Sequence, residues 1–190
     1  MLTIYCGASA SGKTTLADTM LAFNPYMKSL VTYTTRPQRI GEVNGRDYNF
    51  VTHDEFQNLI ETGSLTEYRT YETLVGGKKE IWFYGSPKID PDIDTVGVLD
   101  INGIKSFLQA YGSADIRIIF VKTDPEVREA RAKVRGSFDK TEWNRRLKDD
   151  EVKFSEEALQ ELANIYGKPI KVINNSGRKP TFSEIRPERS

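Results

Sequence analysis

The amino-acid sequence predicts an α/β fold built around a mostly parallel sheet. A glycine-rich turn lies between an apolar, strand-like run (residues 1–6) and a run in which Leu16, Thr19, Met20 and Phe23 recur at helical spacing. Residues 96–101 and 116–121 are short, β-branched and almost wholly apolar, which is typical of strands covered on both faces of a parallel sheet, and residues 170–174 are predicted to form a last strand. Helical patterns separate these strands, and this alternation favours a sheet whose ligands bind at the carboxyl ends of its strands.

The glycine-rich turn reads Gly-Ala-Ser-Ala-Ser-Gly-Lys-Thr and fits G-x-x-x-x-G-K-[ST], the phosphate-binding P-loop motif. Its small residues let consecutive backbone N–H groups turn toward one anion, and the following helix adds positive charge from its first turn. Lys13 is expected to reach the β- and γ-phosphates of a nucleotide, and the Thr14 hydroxyl to ligate Mg²⁺. The motif therefore predicts a P-loop NTPase fold that binds a nucleoside triphosphate. The residues expected to hold this nucleotide are Ala8, Ser9, Ala10, Ser11, Gly12, Lys13, Thr14 and Thr15.

Composition and charge exclude several classes of protein. The 190 residues suit one α/β domain, and lysine plus arginine number 27, as do aspartate plus glutamate. No global basic field is therefore expected to attract nucleic acid or an anionic membrane. No apolar run approaches the ~20 residues that span a bilayer, and no signal peptide is expected ahead of the first strand. Cys6 is the only cysteine, so no internal disulfide can form, which fits a cytoplasmic protein.

Between the first helix and the strand at residues 96–101, the chain alternates turns with short strands. Residues 34–51 carry three arginines, several turn signals and a short strand at their end. Residues 52–55 (Thr-His-Asp-Glu) form a capping-box pattern that predicts a helix. Residues 65–71 and 80–84 predict a hairpin, with Gly-Gly at 76–77 as its turn.

The second half of the chain repeats the pattern of strand and helix. Asn102 and Gly103 are expected to end the strand that runs through Ile101, with a helix from Ile104 onward. Residues 123–126 (Thr-Asp-Pro-Glu) predict another helix start, by a capping box and an early proline. An arginine-rich segment follows and is expected to break at Gly136.

Arg36 and Arg39 stand three residues apart in a turn-rich segment, with Arg46 and Tyr48 close behind. Guanidinium groups pair bidentately with phosphate, and a phenol adds a donor. A second phosphate site beside the P-loop would form the pocket of a phosphoryl acceptor. The competing interpretation is that these arginines are merely solvated.

The order of residues from 34 to 56 closely resembles the signature of guanylate kinases. That family transfers the γ-phosphoryl group of ATP to GMP or dGMP, giving ADP and GDP or dGDP.

The resemblance extends from the P-loop to residues 170–174 and implies a single guanylate-kinase-like domain. The implied architecture is a three-layer P-loop NTPase fold with a small mixed α+β insertion that binds the nucleoside monophosphate, and a helical lid. The implied boundaries are a core of residues 1–31, 87–124 and 155–190, an acceptor-binding subdomain of residues 32–86 and a lid of residues 125–154. The residues that carry the resemblance are Thr34-Thr35-Arg36, Arg39, Gly41-Glu42-Val43-Asn44-Gly45, Asp47-Tyr48, Phe50-Val51 and Glu55-Phe56.

The resemblance also implies roles for individual residues. The acceptor phosphate would be held by Arg36, Arg39, Tyr48 and Tyr84. The guanine base would contact Thr32, Glu67, Ser86 and Asn102. The donor ATP would be enclosed by Arg131, Arg135 and Arg146 from the lid, with Asn174 near adenine. Asp100 would lie near the transferring phosphate and, with Thr14, hold Mg²⁺. The residues expected to act in catalysis are Lys13, Arg39, Arg135, Arg146 and Asp100. From the residues alone, Glu67 would be a solvated strand residue and Asp100 a helix cap.

Four departures from the family pattern stand out. Pro37 follows Arg36 directly, whereas the family usually has the proline one residue later, although the spacing to Arg39 is kept. The segment of residues 71–83 is longer than usual. Asn102 stands where an aspartate commonly reads guanine, and an amide has one acceptor oxygen and a donor nitrogen, so it receives guanine's two donors less well. Thr32 likewise replaces a common serine near the base.

Three functional hypotheses follow. The first is an ATP-dependent kinase that phosphorylates GMP or dGMP, with nucleotides as its partners and a monomer or homodimer as its assembly. The second is a P-loop kinase of the same fold with a different nucleotide or a phosphorylated sugar as acceptor. The third is a non-catalytic binding module, a class in which the P-loop is typically degraded, whereas this chain keeps Lys13 and Thr14.

Overall fold

The computed structural model describes residues 1–75, 78–134, 138–178 and 180–185. Within these ranges the chain forms nine strands and seven helices. The strands are β1 (Leu2–Cys6), β2 (Lys28–Ser29), β3 (Tyr33–Thr34), β4 (Asn49–Phe50), β5 (Leu65–Val75), β6 (Lys78–Pro87), β7 (Thr95–Val98), β8 (Ile116–Lys122) and β9 (Lys171–Asn174). The helices are α1 (Lys13–Phe23), α2 (His53–Glu61), α3 (Ile101–Tyr111), α4 (Pro125–Val134), α5 (Lys140–Lys153), α6 (Glu156–Tyr166) and α7 (Phe182–Ile185). None of the helices in the described ranges is long and apolar enough to cross a membrane.

Two sheets organise the chain. The first has the strand order β2-β7-β1-β8-β9, and β1 pairs in parallel with β7 and with β8, as β8 does with β9. All five residues of β1 are buried, as expected for a strand in the middle of a parallel sheet. The second sheet has the order β4-β3-β6-β5 and is mixed, because β3 is parallel to β4 while β6 is antiparallel to both of its neighbours. The α/β fold with a mostly parallel central sheet is confirmed.

The chain divides into two compact units. The first comprises Met1–Lys28 and Asp94–Ser190, and the second is the continuous segment Ser29–Ile93. In the first unit, α1 packs on β1 and β7 through Leu16 and Met20, both of which are buried. The short helix α7 belongs to the same core, since Ile185 is fully buried and its carbonyl accepts a hydrogen bond from the buried Tyr5 hydroxyl at 2.7 Å.

The second unit is built on α2 and the mixed sheet. The predicted capping box is confirmed, because Thr52 Oγ1 accepts the Glu55 N–H at 3.2 Å and the Glu55 carboxylate accepts the Thr52 N–H at 2.7 Å. The box orients α2 so that Phe56 is buried, with its ring 5.3 Å from that of Phe83 on β6. The predicted hairpin is also confirmed in β5 and β6, although its Gly76–Gly77 turn lies outside the described residues.

Two local predictions are wrong. The strand predicted through Ile101 ends at Val98, because the Asp100 carboxylate accepts the Gly103 N–H at 2.9 Å and starts α3 there. Asn102 and Gly103 consequently lie inside the first turn of α3 instead of ending the strand. Residues 96–101 were predicted to form one strand because they are almost all apolar. Leu99 and Ile101 are buried, but neither belongs to the strand.

The predicted capping box at residues 123–126 is also wrong. Pro125 is the first residue of α4, which confirms the early proline. Thr123 is not at the N-cap position, because α4 begins at Pro125 and the Asp124 carbonyl accepts the first helical hydrogen bond, from the Arg128 N–H at 3.0 Å. The Thr123 hydroxyl donates to the Ser11 carbonyl of the P-loop at 3.0 Å. The expected break at Gly136 lies outside the described residues.

Candidate functional site

The P-loop connects β1 to α1 through three residues with positive φ angles. Gly7 has a φ of 142°, Ala10 of 59° and Gly12 of 96°. A Cβ atom on Gly7 would lie 2.6 Å from the Val121 carbonyl oxygen, so only glycine fits where the loop leaves the sheet. Gly12 is the N-cap residue of α1 and has no side chain to cap it. Alternating right- and left-handed residues of this kind form a backbone nest for anions at the N-terminus of a helix.

The carbonyl group of Ser11 is held by three side chains from outside the loop. Asn175 Nδ2 donates to it at 2.7 Å, Thr123 Oγ1 at 3.0 Å and Arg131 Nη1 at 3.2 Å. Arg131 also donates to the Asn175 carbonyl at 2.8 Å. These three donors fix the orientation of the peptide group between Ser11 and Gly12. Arg131, predicted as an ATP-binding residue, thus lies against the P-loop backbone.

The side chains of Lys13, Thr14 and Thr15, at the end of the loop, are not buried. Lys13 Nζ donates to the Ala8 carbonyl at 2.7 Å, so the ammonium group reaches back across the loop. Thr14 and Thr15 occupy the first turn of α1 and are exposed. Both hydroxyls are therefore at the helix end where an anion would bind.

Thr14 and Asp100 have the chemistry of a Mg²⁺ site. β1 and β7 are parallel neighbours with Tyr5 opposite Val98, so the P-loop and the segment containing Asp100 leave the same edge of the sheet. A hydroxyl and a carboxylate are hard oxygen donors, and nucleotide-bound Mg²⁺ takes only one or two protein ligands, with phosphates and water completing its shell. The described ranges contain no group of three or more His, Cys, Asp or Glu side chains placed to hold a metal. The two residues fit a Mg²⁺ ion that arrives with a nucleotide.

In the second unit, Arg36 is buried and engaged with Glu42. The two terminal nitrogens of Arg36 donate to the Glu42 carboxylate at 3.1 and 2.8 Å, and one also donates to the Pro37 carbonyl at 2.7 Å. Its guanidinium lies 5.4 Å from the centre of the Tyr48 ring. Burial alone would lower the pKa of Arg36, but the hydrogen bonds and charge of Glu42 outweigh it and raise the pKa. Arg36 is a fixed, permanently charged group, whose fork already pairs with a carboxylate.

Arg39 differs from Arg36 because its side chain is exposed. Its backbone N–H donates to Glu42 Oε2 at 2.8 Å, so Glu42 fixes the backbone of one arginine and the side chain of the other. Tyr48 lies next to Tyr84, with ring centres 6.1 Å apart. The second unit thus contains all four residues predicted to bind the acceptor phosphate, and Glu42, to which the sequence reasoning gave no role, is hydrogen-bonded to both arginines.

The residues predicted to read the base form a second group in this unit. Glu67 and Ser86 are opposite each other on β5 and β6, and the Ser86 hydroxyl donates to Glu67 Oε1 at 2.6 Å. Arg69 Nε donates to the other carboxylate oxygen at 3.2 Å, a contact the sequence reasoning missed. Thr32 is half-buried just before β3, and its carbonyl accepts the Asn49 N–H at 2.8 Å.

Several predicted residues are not brought into these groups. Asn102 is exposed in the first turn of α3. Arg146 lies on α5, where its Nε donates to Glu142 at 2.8 Å, and hydrogen bonds from Arg145 and then Arg146, against the effect of burial, lower the pKa of Glu142 to about 2. Asn174 accepts the Ser176 N–H through its side chain. Arg135 lies outside the described residues.

The sequence reasoning missed three residues at the P-loop. Asn175 follows β9 and was overlooked beside Asn174, although the carboxyl end of a neighbouring strand is a signal for such a contact. Asp150 on α5 accepts the Ser9 N–H at 2.8 Å and pairs with Arg128 on α4 at 3.1 Å. Both charged residues are buried, and nothing in the charged pattern of their helices marks them.

Comparison with known proteins gives a consistent result. The family model of guanylate kinase matches residues 1–161. The guanylate kinase of Geobacter metallireducens is 31% identical over 142 residues, which cover 72% of this chain and 64% of that protein. The guanylate kinase of Nitratidesulfovibrio vulgaris is 32% identical over 150 residues, covering 76% and 68%, and that of Cereibacter sphaeroides is 35% identical over 127 residues, covering 64% and 56%. Each match spans between about half and two thirds of the relative's own length.

A solved structure supports the fold. The crystal structure of guanylate kinase from Anaplasma phagocytophilum aligns with a TM-score of 0.56 at 22% identity, over 93% of this chain and 77% of that one. The P-loop of the first unit, the arginine and tyrosine cluster of the second and the match over residues 1–161 agree. This chain belongs to the guanylate kinase family.

Proposed function

We propose that this protein is an ATP-dependent nucleoside monophosphate kinase that converts GMP or dGMP to GDP or dGDP, with release of ADP. The observation that supports the proposal is that one chain contains two groups of residues suited to binding phosphate. The first unit has a P-loop with Lys13 across it, and the second has Arg36 and Arg39 hydrogen-bonded to one carboxylate, with the Tyr48 ring beside Arg36. A kinase acting on a monophosphate needs one site for the donor triphosphate and another for the acceptor phosphate.

The domain organisation follows from these roles. We propose a core of residues 1–31, 87–124 and 155–190, an acceptor-binding subdomain of residues 32–86 and a lid of residues 125–154. A monomer or homodimer in the cytoplasm, with nucleotides as its small-molecule partners, belongs to the same proposal. The single, buried Cys6 is compatible with a reducing compartment.

Each residue would contribute position or charge to the transfer. The P-loop N–H groups and Lys13 would bind the donor's phosphates, and Thr14 and Asp100 would hold Mg²⁺, which neutralises charge on them. The acceptor phosphate would be held by the exposed guanidinium of Arg39 and by the hydroxyls of Tyr48 and Tyr84. An oxygen of that phosphate attacks the γ-phosphorus, and the bond from phosphorus to the β–γ bridging oxygen breaks. No strong general base is needed, because the acceptor phosphate is already an anion.

The two arginines of the acceptor site would have different tasks. Both terminal nitrogens of Arg36 donate to Glu42, so Arg36 would orient its neighbours and add positive charge to the acceptor site. Arg39 has an exposed side chain over a fixed backbone, which suits direct contact. In the lid, Arg135 and Arg146 would approach the transferring group, and Arg131 would support the P-loop from Ser11. Asn174 would lie near the adenine.

Base selection would depend mainly on Glu67. Its carboxylate offers acceptors for the N1–H and exocyclic amine of guanine, and Ser86 and Thr32 would complete the pocket. Asn102 supplies one acceptor where the family commonly has a carboxylate. A nucleoside monophosphate with another base is therefore the second candidate acceptor, favoured by the amide at Asn102 and by the engagement of Glu67 with Arg69.

A coupled ADP-release assay across the common ribo- and deoxyribonucleoside monophosphates tests the proposal. We expect GMP and dGMP to stimulate ADP release well above the rate without an acceptor. Lys13→Ala, the control variant, should lose about 10²-fold or more of this rate while keeping its circular dichroism spectrum. Turnover retained in Lys13→Ala, or no stimulation by any monophosphate, would contradict the proposed activity. A higher rate with another base would select the second candidate.

A further inference from the structure

We propose that Asp150 is a positioning residue for the P-loop, which it fixes through the backbone N–H of Ser9, and that Arg128 is its buried counterion. The inference rests on the proposed function in one respect, namely that the P-loop binds the donor nucleotide. It adds a residue of α5 that does not touch the nucleotide but determines the shape of its site.

The contacts of Asp150 converge on one residue of the loop. Asp150 Oδ2 accepts the Ser9 N–H at 2.8 Å, and Oδ1 lies 3.4 Å from the Ser9 hydroxyl. Arg128 Nη1 donates to the same Asp150 Oδ2 at 3.1 Å and lies 3.5 Å from the Ser9 carbonyl oxygen. The ion pair therefore contacts both polar groups of the Ser9 backbone, since Asp150 accepts from the N–H and Arg128 lies near the carbonyl oxygen.

Stability alone is a poor explanation for this pair. Arg128 is 6% exposed and Asp150 is 9% exposed. Desolvating two charges offsets most of their attraction, and apolar residues of similar volume in place of a buried pair are often as stable or more so. Within the described part of the chain, Arg128 Nε has no hydrogen-bond partner, so the guanidinium depends on Asp150, on the Ser9 carbonyl and on the Trp143 ring 6.0 Å away. A role at the P-loop accounts for the presence of buried charges in this place.

Ala10 is the P-loop residue whose backbone conformation needs support from its surroundings. It is the one non-glycine residue with a positive φ in the described ranges. A left-handed conformation raises the energy of an alanine by about 1–2 kcal/mol and persists only where the surroundings impose it. Ser9, on one side of Ala10, is held by Asp150 and Arg128, whereas Ser11, on the other side, is held through its carbonyl by Thr123, Arg131 and Asn175.

Two anchors that flank a strained residue fix the directions of the peptide groups between them. Without the acceptor at Asp150, the Ser9 N–H loses its buried partner, and the Ala8–Ser9 peptide that carries it is free to rotate, which loosens the chain leading into Ala10. The nest would then have to be reformed each time that a nucleotide binds. We therefore expect a loss in nucleotide affinity that does not depend on the acceptor substrate.

Two double variants separate positioning from stability. R128M/D150L replaces the ion pair with apolar side chains and leaves Ser9 N–H without an acceptor, whereas R128M/D150N removes both charges but keeps an acceptor oxygen. Affinity for a fluorescent ADP analogue is measured directly, alongside the melting temperature and the separate KM values for ATP and GMP. K105M/E161L, which removes an exposed ion pair between α3 and α6, is the matched control.

We expect R128M/D150N and the control to bind the ADP analogue within about threefold of the unmodified protein, and R128M/D150L to bind it at least about tenfold more weakly. The KM for GMP should change less than about twofold in all of them. Equal affinity of the two double variants, whether strong or weak, overturns the positioning role. If R128M/D150L does not fold, R128M/D150N decides alone, and a KM for ATP more than about tenfold above that of the unmodified protein overturns the role.

The same experiment distinguishes the two proposals. Unmodified protein that binds no ADP analogue removes the proposed function and the positioning role together. Unmodified protein that binds the analogue, with no difference between the leucine and asparagine variants, leaves the proposed function intact and removes only the role of Asp150.

Discussion

Glu42→Gln is the most informative perturbation of the second unit. Glu42 accepts two hydrogen bonds from the Arg36 side chain and one from the Arg39 backbone, at 2.8 to 3.1 Å. Glutamine keeps the length and one acceptor oxygen but replaces the other with a donor and removes the charge. Arg36, whose side chain is 4% exposed, would then lack its counterion.

The magnitude follows from these contacts. A hydrogen bond between charged groups contributes about 1.5–3 kcal/mol, and removing one member of a buried ion pair destabilises by about 3–5 kcal/mol. Glu42 is one-fifth exposed, so solvent screens part of the effect. Glutamine also keeps one of the acceptor oxygens. We expect the free energy of unfolding of the second unit to fall by about 2 kcal/mol.

The pH dependence gives the effect a distinct signature. Burial alone would raise the pKa of Glu42, but hydrogen bonds from Arg36 and Arg39 outweigh it and lower the pKa. A carboxyl group whose pKa is lowered on folding stabilises the protein above its unfolded pKa of about 4.3. That stabilisation is lost as pH falls through the lower, folded value. The difference between unmodified protein and Glu42→Gln should be full near neutral pH and shrink progressively below about pH 4.

Urea unfolding followed by tryptophan fluorescence measures this difference. Trp82 lies in the second unit and Trp143 in the first, so Trp143→Phe in both proteins leaves a reporter of the second unit alone. A parallel assay should find a raised KM for GMP in Glu42→Gln, because Arg39 loses its backbone anchor. A difference in unfolding free energy that is the same at neutral and acidic pH would show that shape, not charge, holds Arg36. No difference at neutral pH would refute the reasoning altogether.

Three further predictions concern single residues. Arg39→Ala should raise the KM for GMP by about tenfold or more and leave the KM for ATP nearly unchanged, since the exposed Arg39 side chain belongs to the second unit. Steady-state kinetics with each substrate varied in turn measures both values, and a rise in the KM for ATP alone would contradict the prediction. Asn102→Asp should increase the preference for GMP over AMP, because a carboxylate receives both guanine donors; an unchanged ratio of kcat/KM values would remove Asn102 from the base pocket. Burial raises the pKa of the Cys6 thiol to about 12. A thiol reagent at mildly alkaline pH should therefore modify Cys6 only after denaturant is added. Rapid modification of the folded protein would contradict the placement of Cys6 in β1.

The sequence predicted best those features that depend on neighbours in the chain. The capping box of α2 needs only Thr52 and Glu55, and both of its hydrogen bonds form. The glycine-rich turn lies between β1 and α1, as its pattern requires. The end of β7 was misplaced because an apolar run does not distinguish a strand from the buried first turn of a helix, and the side chain of Asp100 decided between them.

Contacts between distant residues could not be predicted in this way. Ser9 and Asp150 are separated by 141 residues, and Asn175 and Ser11 by 164. A buried aspartate on a helix that is otherwise charged has the same local sequence as an exposed one. Arg36 and Glu42 are only six residues apart in the sequence, but their pairing was overlooked because the guanidinium of Arg36 was expected to face a bound phosphate. Polar residues that support a site have weaker sequence signals than those that form it.

The way the two units share the chain affects the order in which they are synthesised. Ser29–Ile93 is continuous, so every residue of its mixed sheet has been made before the ribosome reaches β7. The parallel sheet lacks β9 until residue 174 is added, and Tyr5 finds its acceptor only when Ile185 arrives. The internal segment can therefore acquire its structure first on the ribosome, whereas β1, although translated before it, gains its contact with α7 only when Ile185, the last residue that the structure describes, has been added.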